Sequence, residues 1–393
     1  MLARNRTMKM QMPSDEQRLA VESFRTFLVS EVAPIVRVFR DRPIPKETLR
    51  EITQGIAEFG LPGASLAREH GGMGLSVVTE AMLFEELCAV SVEVAFCVMV
   101  NLSVVAALAE LPETRASLRE RYLPGLLAGR SFGGFCVDAG DADSTVERGV
   151  LARWDLDGFV VRGELGRVPN GHYSDFLVTG VRLDSGACCH LLIDREEHGY
   201  QSRMVERPAL GGPSSSLVSF NEVRLPAGQL VWEEGDGAGH GARLLERFHA
   251  GAGMLAVGLM RAALEASIVV VQDPACFDRP AANYPLVAVR IAEMVTRLDA
   301  ARLMCFRAYS MMDVGVRCQM QAAMARWYVT EMVLEACREA LQLAGGRAAD
   351  VERLVREAML LPIPDAATDL HKLMIARELT GLDDFGGCPL PGN

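Results

Sequence analysis

The sequence predicts an α+β chain with helices at both ends and strands between them. Three observations carry this: apolar residues at helical spacing from about residue 14 to 130, short β-branched segments set off by turn residues from 131 to 232, and helical spacing again from about 240. The expected domains are 1–130 (helical), 131–232 (a small antiparallel β barrel or sandwich) and 233–393 (a four-helix bundle).

In the first region "DEQRLAVESFRTFLVSEVAPIVRVF", "PKETLREITQGIAEFG" and "SVVTEAMLFEELCAVSVEVAFCVMVNLSVVAALAEL" read as helices. Pro45 and Glu47 make "PKETLRE" a start signal. "REHGGMGL" is a turn shaped by Gly71, Gly72 and Gly74. In the second region "GFVVRGEL", "DFLVTGVRL", "CCHLLID" and "SLVSFNEVRL" read as strands, and "EEGDGAGHG" as the flexible linker that closes it. In the third, Ile291, Val295, Leu298, Ala301 and Cys305 form one expected buried stripe. "MQAAMARWYVTEMVLEACREALQLAGG" is a long helix stopped by Gly345 and Gly346.

A chain of 393 residues suits two or three domains, and 50% hydrophobic with 23% charged residues fits a large core. A net charge of −11 argues against nucleic acid or an anionic membrane as partner. No apolar run reads as a membrane span, and "MLARNRTMKMQMP" lacks the apolar core of a secretory signal, so a cytoplasmic location is expected. The ten cysteines include no C-x-x-C pair, and Cys97, Cys136 and Cys305 sit in apolar text as small hydrophobes. Cys188, Cys189 and His190 are adjacent on an expected strand, so they point to opposite faces; no metal site is expected.

The order of these regions, with the motifs inside them, resembles the acyl-CoA dehydrogenase family across nearly the whole chain. "REHGGMGL" is similar to the family's glycine turn, "ALGGPSSSLVSFNEVRLPAGQLVWEEGDG" to the segment closing its β domain, and "IAEMVTRLDAARLM", "EALQLAGG" and "LMIAREL" to its bundle signatures. The resemblance implies that a carboxylate removes the proton α to a thioester carbonyl while a hydride leaves the β carbon for FAD. That chemistry needs a placed base, donors for an enolate oxygen and a flat oxidant against the acyl chain.

By the same resemblance, "CVDAGDADS" corresponds to the first flavin motif, with Val137 at its threonine, Asp138 at its glutamate and Ser144 in the run that follows. "RVPN" corresponds to the second, with Arg167 at the stacking tryptophan and Asn170 at the asparagine; Pro169 supplies neither hydroxyl nor N–H. Phe277 keeps the phenylalanine of the pyrophosphate segment, but Pro274 replaces its arginine and Asp278 its glycine. Losing that cation forfeits charge-assisted bonds worth about 1.5–3 kcal/mol each. Gln342, Gly345 and Gly346 keep the pattern whose backbone approaches the dinucleotide, in the family usually across a subunit interface.

Ungapped counting back from "LMIAREL" puts Asp365 at the family's base. Asp365 also reads as a helix N-cap, which lowers its basicity, and its side chain is one methylene, about 1.5 Å, shorter than glutamate. A family subset carries its base in the helix after the β domain, one residue before an arginine. Ungapped counting puts Phe248 and His249 there, and a shifted register puts Glu246 and Arg247 there. Asp365, Glu246 and His249 are therefore the candidate catalytic residues, each with a plain structural reading beside it.

The resemblance implies a homodimer or homotetramer acting on an acyl-CoA or acyl-carrier-protein thioester. Val137, Arg167, Pro169 and Pro274 keep a second class open: a flavin-free homologue acting as a lyase, cyclase, isomerase or binding subunit. A flavin monooxygenase of the same fold is a third.

Overall fold

The computed structural model describes residues 13–136, 149–205, 216–233, 237–273, 284–345, 349–361 and 368–381. Helices α1 (Asp15–Phe27), α2 (Ala33–Val38), α3 (Lys46–Ala57), α4 (Val77–Val90), α5 (Val92–Ala109) and α6 (Ala116–Leu127) form the N-terminal part. Helix α1 starts in a capping box: the Gln17 amide N–H donates to Ser14 Oγ and the Ser14 N–H donates to Gln17 Oε1. A π turn at Leu28–Val32 separates α1 from α2. The long apolar text after Ser76 is two helices, not one. Ser91 breaks it with an extended backbone and then caps α5 by accepting from the Val94 N–H. Helix α5 is buried on almost every side, as its apolar circumference requires.

The middle part holds β1 (Gly133–Cys136), β2 (Leu151–Asp155), β3 (Gly158–Val168), β4 (Phe176–Leu183), β5 (Cys188–Asp194), the short helix α7 (Arg195–His198), β6 (Gln201–Met204), β7 (Ser216–Pro226) and β8 (Leu230–Trp232). The strand order is β6-β7-β3-β2-β4-β5-β8, with β1 beside β4. The expected all-antiparallel arrangement needs correction, because β4 takes both β1 and β2 in parallel. Cys188 is exposed and Cys189 buried, the alternation a strand imposes.

Helices α8 (Gly237–Gln272), α9 (Pro285–Asp313), α10 (Gln319–Ala344), α11 (Ala349–Leu360) and α12 (Thr368–Thr380) complete the chain. Helix α8 begins at Gly237, so much of the expected glycine linker is helical. The stripe on α9 also needs correction: Met294, Leu298, Ala301 and Cys305 are buried, while Val295 is 48% exposed. The step from residue 291 to the core is three residues rather than four, and both are helical neighbours. The helix α10 stops at Gly345, as expected, with φ 52° at that cap.

The N-terminal helices and the bundle share one hydrophobic core, and the sheet has its own. Close packing of α8 on α4 depends on Gly258, where a Cβ would lie 2.2 Å from Cys88 Cβ and 2.6 Å from its carbonyl carbon. Two helices, Val92–Ala109 and a segment of α8 from His240 to Gln272, are long and apolar enough by composition to cross a membrane, contrary to the sequence expectation. Their apolar windows are 89% and 67% buried inside the protein. The fold is therefore α+β, helices then sheet then helices, as the sequence predicts.

Candidate active site

Four successive residues of α8 point to four different neighbours, because each step along a helix turns the side chain by about 100°. Glu246 faces the turn between α9 and α10. Its carboxylate accepts from Arg317 Nε at 2.5 Å and from the Cys318 backbone N–H at 3.3 Å. Cys318 is the N-cap residue of α10, so Glu246 fastens the start of that helix. Burial, then the nearby carboxylate, pushes the Cys318 thiol up to about 12.

Arg247 turns to α4, where its guanidinium pairs with Glu80 and donates to Ser65 Oγ at 3.0 Å. Phe248 is fully buried against the rings of Phe96 (6.3 Å) and Phe135 (5.3 Å), edge to face in both cases, with the Arg326 guanidinium 5.8 Å from its centroid. His249 is buried and meets His371 of α12 edge to face, ring centroids 4.7 Å apart.

These contacts bring chain-distant segments together. Phe135 is in β1, whose last residue Cys136 directly precedes the segment of Val137, Asp138 and Ser144. His371 is in the first turn of α12, three residues beyond Thr368. Asp365 lies just before that helix in the sequence. Val137, Asp138, Ser144, Phe277, Gly346 and Asp365 all lie outside the described residues, as do Pro274 and Asp278.

Asn170 sits in a left-handed turn (φ 57°) after β3, fully buried. Its Nδ2 donates to the carbonyls of Cys97 and Gly133, both at 3.1 Å, which ties α5 to β1. Arg167, half-buried, is also left-handed (φ 55°), an uncommon conformation for a residue with a Cβ. Gln342 Oε1 accepts from Arg290 Nη1 at 2.6 Å. Gly345 leaves open space where a Cβ would stand. Gln342 lies sixteen residues, about 24 Å, along α10 from Arg326, so it stands well away from Phe248.

The Asn170 amide nitrogen is spent on two backbone carbonyls and the Gln342 amide oxygen on Arg290. Pro169 has no N–H to offer. Of the expected contacts among the described residues, only Gly345 presents open backbone. Asn170 Oδ1, by contrast, is buried with no hydrogen-bond partner among the described residues, and the other expected flavin contacts, Val137, Asp138, Ser144, Phe277 and Gly346, lie outside them.

A pocket of about 200 Å³ opens beside Glu246, lined also by Trp232, Arg243, Leu244, Arg247 and Arg317. Sequence reasoning set Glu246 beside Arg247 but missed Glu80, Tyr309, Arg326 and His371. Their partners lie far away in sequence, and only the "ER" pair was visible as a local signal.

Residues 14–130 match the family described as acyl-CoA dehydrogenase, N-terminal domain, and residues 238–380 match acyl-CoA dehydrogenase, C-terminal domain. An acyl-CoA dehydrogenase of Bacillus subtilis (strain 168) is 24% identical over 383 residues, spanning 94% of this chain and 99% of the relative. Benzylmalonyl-CoA dehydrogenase of Aromatoleum aromaticum is 26% identical over 376 residues, spanning 93% and 98%. Acryloyl-CoA reductase (NADH) of Anaerotignum propionicum is 25% identical over 380 residues, spanning 93% and 94%. Among solved structures, butyryl-CoA dehydrogenase from Megasphaera elsdenii superposes with a TM-score of 0.85 at 20% identity, covering 94% of this chain and 99% of that one. Acyl-CoA dehydrogenase from Geobacillus kaustophilus gives 0.82 at 22%, covering 94% and 99%. At these identities the structures speak for the fold alone.

Proposed function

The chain belongs to the acyl-CoA dehydrogenase family, and from that premise we propose that it acts at the α-carbon of an acyl thioester carried on coenzyme A or a carrier protein. The supporting observation is the convergence on α8. Phe248 packs on the end of β1, and His249 packs on the first turn of α12. In sequence, the segment of the expected flavin contacts follows β1 and that of the expected base precedes α12, the two elements that meet this short stretch of a buried helix.

In this reading Asp365 takes the α proton. Glu246 does not, because its oxygens already hold Arg317 and the α10 cap. His249 acts as a positioning residue that fixes α12 against α8 through His371. Dehydrogenation would need FAD to take the β-hydride, as the family resemblance implies. Proton transfer at the α-carbon needs only the base and donors for the enolate oxygen.

A second reading, flavin-free chemistry of the lyase, cyclase or isomerase kind, is favoured by a specific observation. The Asn170 amide nitrogen, at the position that corresponds to the second flavin motif, is spent on two backbone carbonyls of the chain itself. Self-association fits either reading: α9 leaves Leu286, Val289, Val295 and Leu303 exposed. Gln342 and Gly345 stand far enough from Phe248 to serve a neighbouring subunit rather than their own.

The test is the visible spectrum of the purified protein with chemical assay of FAD. About one FAD per chain supports the dehydrogenase form. Colourless protein that takes up no added FAD removes that form and leaves proton transfer.

A further inference from the structure

Arg247 lines two cavities at once. The outer one is the pocket of about 200 Å³ beside Glu246, with apolar walls from Val77, Ala106, Trp232 and Leu244. The inner one is only about 10 Å³ and lies between α4, α5, α8 and α9, lined by Glu80, Phe84, Met99, Leu102, Gly251 and Tyr309. A void of that size accommodates about one water-sized atom.

The inner void is nevertheless polar. Glu80 is held by Arg247 on one oxygen and by the Ser65 backbone N–H on the other at 2.9 Å. Tyr309 is 5% exposed, and no hydrogen bond joins its hydroxyl to another described residue. Burial holds that phenol well above its ordinary pKa, so it is a neutral donor at neutral pH. A hydroxyl beside Gly251 on the wall of a one-oxygen void can bond an oxygen placed there.

The void does not suit a hydrocarbon end. Met99 fills the space opposite Gly251, where a Cβ would fall 2.8 Å from the Met99 sulfur. An apolar tip would also leave Tyr309 unsatisfied. A carboxylate does not suit it either, since it brings two oxygens and a second negative charge beside Glu80.

We propose that the outer pocket holds the body of a short acyl group and that the inner void receives one neutral oxygen from it, a hydroxyl or keto group, bonded by Tyr309 and Arg247. Tyr309 and Met99 are then specificity-determining residues. The proposal rests on the acyl-thioester reading for its substrate class, but its test does not need a thioester.

Ligand-observed NMR titrations with 4-hydroxybutyramide and butyramide measure the subsite alone, in the full chain. The wild type should bind the hydroxyamide about tenfold more tightly. Tyr309→Phe should erase that preference and leave butyramide binding unchanged. Met99→Ala, by enlarging the void, should gain binding of hexanamide, which the wild type refuses. Equal affinities in the wild type, no saturable binding of either amide, or a preference that survives Tyr309→Phe overturns the proposal. Failure of the thioester reading would register separately, as absence of α-proton chemistry on acyl thioesters while the amide preference persists.

Discussion

Arg261 of α8 and Glu86 of α4 meet in a two-pronged ion pair, guanidinium nitrogens on both carboxylate oxygens at 2.8 and 2.7 Å. Arg25 of α1 grips the same carboxylate with two further bonds of 2.8 Å. Arg261 also reaches Glu85 at 3.3 Å, and Arg302 of α9 closes on Glu85 at 2.7 Å. Alternating charges thus bind α1, α4, α8 and α9 across the shared core. The two bundle arginines come from a region more than 170 residues away in sequence.

Removing one partner from this chain should be costly. Burial raises the Glu86 carboxyl, but hydrogen bonds from Arg25 and Arg261 overcome it and hold it below its ordinary value of 4.5. Its stabilisation is therefore present above pH 4.5 and lost as pH falls through the lower folded value. Glu86→Gln should lose about 3–5 kcal/mol at neutral pH, because four bonds from Arg25 and Arg261 lose their charged acceptor and Arg261 keeps only the longer contacts to Glu85 and Glu265. Urea unfolding of both proteins checks this, and a loss below about 1 kcal/mol contradicts it.

Glu93 predicts the opposite pH trend. It accepts the Ile44 N–H at 3.0 Å at the start of α5, and burial pushes it up from 4.5 to about 7 despite that bond and Arg353. The folded protein holds this proton between pH 4.5 and 7 while the unfolded chain releases it. Stability is then lost as pH rises through that window, by about 3 kcal/mol at most. Glu93→Gln, which can still accept from Ile44, should flatten this slope and be the more stable protein at pH 8. Urea midpoints from pH 5 to 8 decide it.

Asn170 predicts a stability effect rather than a cofactor effect. It ties α5 to β1 through two backbone carbonyls from a left-handed turn. Asn170→Ala should lose about 2–4 kcal/mol, since two buried carbonyls lose their donor and alanine tolerates the turn poorly. Thermal unfolding measures it. Unchanged stability with lost FAD content would return Asn170 to the cofactor.

Glu246→Gln should weaken the α9–α10 junction by about 1–3 kcal/mol and leave turnover in place, because Arg317 and Cys318 are its partners. Assays of stability and rate on the same preparation separate fastener from base. Lost turnover with full stability contradicts the assignment.

What the sequence made legible was local. Helical spacing located the helices, and Gly345 marked the end of α10, because caps and periodicity are short-range signals. The break at Ser91 carried its own cap, yet the surrounding apolar text hid it. The parallel pairing of β4 with β1 and β2 depends on strands far apart in sequence, which no local pattern reports. The same applies to the site. Glu246 reads as a possible base until Arg317, 71 residues on, is seen holding it. The pair Glu80–Arg247 spans 167 residues and reads locally as two ordinary helix charges.

The most direct test of the proposed function is exchange of the α protons of butyryl-CoA in deuterium oxide, followed by NMR with wild type and Asp365→Asn. Exchange needs no oxidant, so it reads the base whether or not FAD is bound. The account predicts enzyme-dependent exchange that falls by about 100-fold or more in Asp365→Asn. Undiminished exchange in the variant contradicts it, as does its absence from wild type with this thioester and with the matching 4-hydroxybutyryl thioester.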